Sequence, residues 1–565
     1  MSAFSPGPAP PRAYRDRLEQ ALAEAGETDV RPRTARMATA AFVVLIAAPG
    51  LIQIAAEPGG GLFRGVGLAG VRAAPASGQG GFATVASANR ALLAAITEIG
   101  HRLENDTAVV RRLRPALQLG FTSWVRTSAT QVYLGRDGWL FYGPDVDYVA
   151  GPGFLDARRL AARAAAGDTL AVAAAPDPRP PILALQRELA ARGIELIVMP
   201  TPVKPTVHPE HLRGGRVDAG PVENGSYHAF VRGLRAAGVA VFEPGGALGA
   251  RGASPSYLAT DTHWRPEAVE RVAAALAARI LRETTLPDVD VAVTRQAPVT
   301  VSNTGDTLRL LDLPAWQSHY GPETVTIRPV EVDGRPWRAD PNADVLLLGD
   351  SFTNVYSTGA MGWGEGAGLA EQLAYTLRRP VDRLGQNDDG AFASRARLAA
   401  ALARGDDRLA AKRIVVLQFA TRELALGDWR AIDLSGGIRR PDRPDFIEPG
   451  PGDRLRVRAT VREIAPMPRP GSVPYPDHIV AIRLAGLDPT PTDAADREAV
   501  AYVWSLRDDE PAPASALRPG DAVELDLTPW AEVADDLDAI NRSELADPAA
   551  RLAAPWWGVF PEGQP

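Results

Sequence analysis

Val345-Leu346-Leu347-Leu348-Gly349-Asp350-Ser351-Phe352 is the stretch that decides the fold. Four consecutive apolar residues suit a short strand covered on both faces, because a strand with one wet face alternates apolar and polar positions. Glycine and aspartate then turn the chain sharply and deliver a serine just past the strand end, where sites form in open α/β sheets. Outward from this strand, short apolar runs alternate with helical spacing. On the N-terminal side the pattern predicts a helix at about 181–192, strand Ile194–Met199, a helix at about 224–237, strand Val239–Phe242 and a helix at about 266–282. On the C-terminal side it predicts a helix at about 366–378, a run at Val381–Leu384, a helix at about 391–404 and strand Ile414–Gln418. This alternation is that of one α/β domain spanning about 125–440.

Near its start, Tyr133-Leu134-Gly135-Arg136-Asp137-Gly138-Trp139-Leu140-Phe141-Tyr142 sets an Asp-Gly turn between apolar runs and predicts a hairpin. Past a Pro/Gly-rich linker at 437–453, Leu455, Val457, Ala459 and Val461 alternate with Arg454, Arg456, Arg458 and Thr460. Ala501–Trp504 and Val523–Leu527 repeat that strand character, so 452–565 is expected to be a small β-rich module closed by Trp556-Trp557, whose aromatic residues permit carbohydrate binding while the same features suit a lid on the catalytic domain.

Upstream, Met37–Ala56 is an uncharged stretch of 20 residues preceded by Arg31, Arg33 and Arg36. Its length fits a bilayer crossing and its flanking charge keeps the N-terminus cytoplasmic. The expected order is a cytoplasmic tail (1–36), a single-pass anchor in a bacterial inner membrane (37–56), a helical stalk or linker (57–124) and exported domains beyond. A cleaved signal sequence ending near Ala55-Ala56 is the alternative.

The chain has 565 residues, a net charge of −7 and no cysteine. The charge lacks the basic footprint of a nucleic-acid binder, and the missing thiols exclude disulfides, thiolate zinc sites and a cysteine nucleophile. The chemistry therefore falls to Ser351 and to Asp261-Thr262-His263-Trp264, which precedes a helix opened by Pro266. Residues two apart in an extended segment face one side, so Asp261 can orient His263 while His263 takes the proton of Ser351. The histidines His208, His211 and His228 are dispersed without a second carboxylate cluster, and no metal is expected.

Several segments, in order, carry a family resemblance: Gly135–Phe141, Pro200-Thr201-Pro202-Val203-Lys204, Asp261–Trp264, Gly349–Phe352, Gln386-Asn387-Asp388-Asp389-Gly390-Ala391-Phe392 and Gln418–Leu424. Residues 130–440 resemble the AlgJ/AlgX-like polysaccharide (alginate-type) O-acetyltransferases. That resemblance implies an SGNH-like (flavodoxin-like) α/β sandwich with permuted motif order, the Asp-His element preceding the serine. It implies a Ser351–His263–Asp261 triad that carries acetyl to hydroxyls of an exopolysaccharide, with no cofactor. It also implies a periplasmic catalytic domain and an MBOAT-type membrane acyltransferase partner that delivers the acetyl group. By similarity to the Gly-x-Asn-Asp block of SGNH enzymes, Asn387 is a second oxyanion donor. Lys204, one of two lysines in the chain, follows a strand end and is a candidate contact for an anionic sugar or reaction oxygen. Tyr356 and Asn354 are candidates for the acceptor groove, and Trp139, Tyr142, Trp264 and Trp363 for sugar-stacking faces. Two other readings stay open: an SGNH-type carbohydrate acetylesterase, and a noncatalytic polysaccharide-binding assembly protein.

Overall fold

The computed structural model describes residues 32–56, 107–125, 131–167, 175–212, 222–249, 254–387, 390–434, 446–468, 470, 473, 475–488, 497–537, 540–545 and 547–561. The chain divides into two compact units, Met1–Arg114 and Pro115–Pro565. In the first, Pro32–Ala56 is one helix of 25 residues that contains the apolar stretch. Many of its side chains lie outside the described set. Among the described residues no helix is long and apolar enough to cross a membrane, so the expected anchor finds no support there. Residues 1–31 of the expected tail and 57–106 of the expected stalk lie outside the described residues, as do 437–445 of the linker and Asp388-Asp389.

In the second unit, five parallel strands form the central sheet: β1 (Glu195–Thr201), β2 (Ala240–Val241), β3 (Val345–Gly349), β4 (Asp382–Gly385) and β5 (Ile414–Ala420), in spatial order β4-β3-β5-β1-β2. Each strand falls within a residue or two of its expected position. Alternate residues of β3 face opposite cores. Val345 and Leu347 pack with helices Pro266–Glu283 and Leu369–Leu377, while Leu346 and Leu348 join helices Arg179–Ala191, Tyr227–Ala236 and Ala393–Ala403. Both faces are dry, which is why the strand reads as an uninterrupted apolar run.

The predicted hairpin forms, Val132–Leu134 pairing antiparallel with Leu140–Tyr142. Asp137 (φ 54°) and Gly138 (φ 80°) both take the left-handed conformation that its tight turn requires. Unforeseen are the short antiparallel pairs between 293 and 336, such as Val299–Asn303 with Glu323–Ile327.

The C-terminal module is a closed barrel. Strands β6 (Leu455–Ile464), β7 (His478–Asp488), β8 (Ala499–Arg507), β9 (Glu510–Pro511), β10 (Ala522–Pro529), β11 (Asn541–Ser543) and β12 (Trp556–Val559) lie in the order β9-β8-β12-β10-β6-β7-β11, and a further β7–β8 pairing closes the ring. The arginine alternation in β6 is explained by its partner: Arg456 and Arg458 lie opposite Asp526 and Glu524 on the outer face, while Val457, Ala459 and Val461 enter the barrel core. Those ion pairs are exposed and contribute little stability; the inward residues specify the register.

Candidate active site

Ser351 opens a one-turn helix, Ser351–Asn354, directly after β3. Asp350 is its cap. One carboxylate oxygen accepts from the Phe352 N–H at 2.9 Å and from Gln418 Nε2 at 2.9 Å, and the other accepts from the Ala420 N–H at 2.6 Å. These bonds tie the turn to β5 and fix where Ser351 emerges. A Cβ at Gly349 would strike the Thr353 side chain, so only glycine permits a turn this tight.

The Asp261–His263 segment lies opposite. Asp261 Oδ1 accepts from His263 Nδ1 at 2.7 Å and from the His263 backbone N–H at 3.0 Å, while Oδ2 accepts from Trp363 Nε1 at 2.9 Å and from the Asp306 N–H at 3.0 Å. Four donors on one buried carboxylate lock both the ring and its tautomer, leaving Nδ1 protonated. His263 Nε2 is buried and has no hydrogen-bond partner among the described residues. It faces a cavity of about 200 Å³ that Ser351, Asp261, Asp306, Asn387, Arg422 and Tyr142 also line. No hydrogen bond joins Ser351 to Nε2 in this unliganded state, a gap that substrate binding commonly closes.

The electrostatics suit proton transfer. Burial on its own would lower the His263 pKa, but Asp261, and behind it Asp306, outweigh burial and hold it above the usual histidine value. Burial would raise Asp261, yet His263 holds its carboxyl well below the usual range, and the proton shared within the group resides on the imidazole. Asp306 is raised by burial and by the Asp261 charge, and it accepts from the Thr262 N–H at 2.7 Å.

The family model for the SGNH hydrolase-like domain of the acetyltransferase AlgX matches residues 132–421, a little over half of the chain. The chain belongs to this family. Relatives of the AlgX-type domain include two proteins described as probable alginate O-acetylase AlgJ. The one from Pseudomonas aeruginosa is 32% identical over 183 residues, covering 31% of this chain and 41% of the relative. The one from Pseudomonas putida is 29% identical over 233 residues, covering 39% and 54%. The chain thus spans about half the length of the curated relatives it matches. Among solved structures, the O-acetyltransferase domain of P. putida AlgJ superposes with a TM-score of 0.39 at 24% identity, covering 54% of this chain and 94% of that one. Pseudomonas aeruginosa AlgX gives 0.38 at 17%, covering 65% and 74%. Assignment to the AlgX-type family rests on the family match; the superpositions carry no weight in it.

Within this AlgX-type domain the secondary candidates divide. Asn387 lines the cavity; it accepts from Asn354 Nδ2 at 2.8 Å and donates to Met361 Sδ at 3.3 Å. Asn354 is fully buried behind it, a support for Asn387 and not a groove residue. Tyr356 is likewise no groove residue: it is buried and its hydroxyl donates to the Trp264 carbonyl at 2.8 Å. Trp363 is occupied by Asp261, Trp264 donates to the Phe352 carbonyl at 3.0 Å, and Trp139 stacks on His211 at 4.1 Å, so of the aromatic candidates only Tyr142 lines the cavity. Among the described residues the grouping with metal-ligand proximity is Asp261, His263 and Asp306, not the dispersed histidines. The Nδ1–Oδ1 separation there is that of a hydrogen bond.

Lys204 does not reach a sugar. Fully buried, it donates to the carbonyls of Leu258 (3.1 Å), Ala259 (3.1 Å) and Asp261 (2.7 Å), clamping the loop that holds the Asp-His pair. Burial lowers its pKa to about 8, against the pull of Asp306 and Asp261, so it stays mainly charged at neutral pH. Lys204→Met keeps the volume but leaves three carbonyls without their donor. Loss of about 2–4 kcal/mol is expected from unmade buried bonds, together with reduced catalysis. Thermal melting beside kcat checks this, and an unchanged melting temperature would refute the clamp.

Asp306, Arg422 and Glu423 were not among the residues expected at the site, although the last two fall in a family segment. Arg422 lines the cavity and pairs with Asp145 at 3.0 Å; burial would lower its pKa, but Asp145 and Glu423 raise it, so it is a permanent cation there. A further wall comes from outside the α/β domain: Val473, Tyr475, Pro476 and Asn541 of the barrel.

Proposed function

We propose that this protein is a periplasmic O-acetyltransferase that moves an acetyl group through Ser351 to hydroxyls of an exopolysaccharide. The observation that carries the reading is the buried His263 Nε2, without a partner among the described residues and facing the cavity that Ser351 lines while Asp261 holds the opposite nitrogen. A buried imidazole nitrogen left open is unfavourable for stability and is what a general base requires. This argues against a noncatalytic binding protein. In the first half-reaction Ser351 Oγ attacks the acetyl carbonyl and its proton passes to His263 Nε2. The imidazolium returns that proton to the departing group of the donor. In the second, an acceptor hydroxyl attacks the acetyl-serine and gives its proton to His263, the acyl–Oγ bond breaks, and the imidazolium passes that proton to Ser351 Oγ. The Ser351 backbone N–H has no acceptor among the described residues; with the Asn387 amide it supplies donors for the tetrahedral oxyanion.

The apolar stretch 37–56 would hold the domain at the outer face of the inner membrane, where a membrane-embedded acyltransferase of MBOAT type would load Ser351. The relatives described as alginate O-acetylases support a uronate polymer as the first acceptor to try. The experiment uses the full chain with 4-nitrophenyl acetate and a panel of oligosaccharides including alginate, read by mass spectrometry. Acetylated oligosaccharide made by the wild type and not by Ser351→Ala supports the transferase. Free acetate alone favours an esterase.

Because the base must be neutral, kcat/KM should fall as pH drops through the His263 pKa, which lies above the usual 6.5. A pH–rate profile with its acid limb clearly below 6.5 would contradict the arrangement.

A further inference from the structure

Asn541 begins β11 and pairs with His478 of β7, so its backbone belongs to the barrel. Its side chain lines the cavity that contains Ser351 and His263. It is 1% exposed, and neither Oδ1 nor Nδ2 has a hydrogen-bond partner among the described residues. The strand that carries it is held firmly. The Arg542 carbonyl accepts from Gln386 Nε2 at 3.3 Å, its guanidinium stacks on Tyr502 and Trp530, and the Tyr502 hydroxyl donates to Glu544 at 2.7 Å. An amide with both ends open in a fixed, buried position destabilises the fold and performs no structural task, so its use lies with a ligand.

The chemistry of that ligand follows from the amide. Nδ2 must meet an acceptor and Oδ1 a donor, side by side. Adjacent hydroxyls on a sugar ring provide both, since each donates and accepts; a carboxylate would leave Oδ1 facing another oxygen. We propose that Asn541 is an acceptor-binding residue contributed by the C-terminal barrel, its amide holding a vicinal diol of the acceptor ring beside Ser351. The proposal rests on the transferase reading for what happens to a neighbouring hydroxyl, but not for the binding itself.

The test therefore reads binding first. In the full chain carrying Ser351→Ala, titration calorimetry with alginate and cello-oligosaccharides is compared with the same oligosaccharides after periodate cleavage of their diols. Adding Asn541→Ala is expected to weaken binding of an intact oligosaccharide about tenfold or more, the equivalent of one to two hydrogen bonds. It should barely alter any residual binding of the cleaved one. Melting temperature should stay level or rise, since an unmade buried amide is removed; a merely structural asparagine would lower it. In the otherwise wild-type chain, the acceptor KM should rise at least tenfold more than the rate of 4-nitrophenolate release falls. Equal affinity with and without Asn541, equal binding of cleaved and intact sugars, or no binding of any intact oligosaccharide overturns the proposal. Loss of affinity in Asn541→Ala, in a protein that transfers no acetyl group, would uphold the subsite and refute the transferase reading.

Discussion

Ser351→Ala is expected to lower kcat/KM for acetyl transfer by about 10⁴-fold or more while shifting the melting temperature by no more than about 2 °C. The two halves of this expectation have separate physical sources. No other group beside His263 Nε2 among the described residues is a nucleophile of comparable placement, and without the hydroxyl no covalent acetyl intermediate forms. What remains is the contribution of oxyanion donors and binding. Stability is spared because the Ser351 side chain makes no hydrogen bond with the described residues; the turn is held by Asp350, Gln418 and Gly349. Single-turnover assays with 4-nitrophenyl acetate and intact-mass detection of the acetylated protein provide the measurement. An acetyl adduct in the alanine variant would remove Ser351 from the mechanism.

Asp261→Asn should lose roughly 10⁴-fold, for a reason visible in the hydrogen-bond directions. The carboxylate accepts from four donors, two on each oxygen. An asparagine has one oxygen, so its NH2 must oppose either Trp363 and Asp306 or the two donors of His263. In the second orientation the ring responds by presenting Nδ1 as an acceptor, which moves the proton to Nε2 and leaves no base for Ser351. In the first, two buried donors lose their acceptor, with about 1–3 kcal/mol of destabilisation. Either orientation also removes the charge that raises the His263 pKa, so the acid limb of the residual pH profile should move to lower pH. A near-normal rate, or an acid limb that stays in place, would show that Asp261 does not govern the imidazole.

How far the sequence reveals this arrangement depends on whether a residue's partners are local. Strands β1, β3 and β5 are legible as continuous apolar runs because both faces of the sheet are covered. The β6 arginine alternation is legible because one face is wet. Asp261 and His263 are two apart, and Ser351 follows a strand end, so their types and spacing carry the message. Lys204 is conspicuous in the chain, but its partners are backbone carbonyls of 258–261, which no side-chain pattern reports, so the sequence suggests a substrate contact where the structure has a clamp. Proximity to Ser351 alone suggests the groove for Tyr356 and Asn354, whereas one helical turn carries them back into the core. Asp306 reaches the Asp-His pair only through tertiary packing: Gly305, where any Cβ would collide with the Thr260 carbonyl, lets the start of the helix Asp306–Leu310 pass beside the Asp-His loop. Asn541 is 190 residues beyond Ser351, and nothing in its neighbourhood marks it.

The barrel closes through a strand that lies near the end of the sequence. Trp556–Val559 pairs with β8 on one side and with β10 on the other, so it is the stave that joins the two halves of the ring. Asp261, His263 and Ser351 leave the ribosome long before it. A chain synthesised only as far as residue 450 would therefore carry Asp261, His263 and Ser351 but lack the wall formed by Val473, Tyr475, Pro476 and Asn541, with its reactive serine open to water from that side. The order of emergence from the N-terminus makes completion of the last strands the event that finishes the cavity, and a nonsense mutation shortly before Trp556 would be as harmful to transfer as one in the catalytic domain itself.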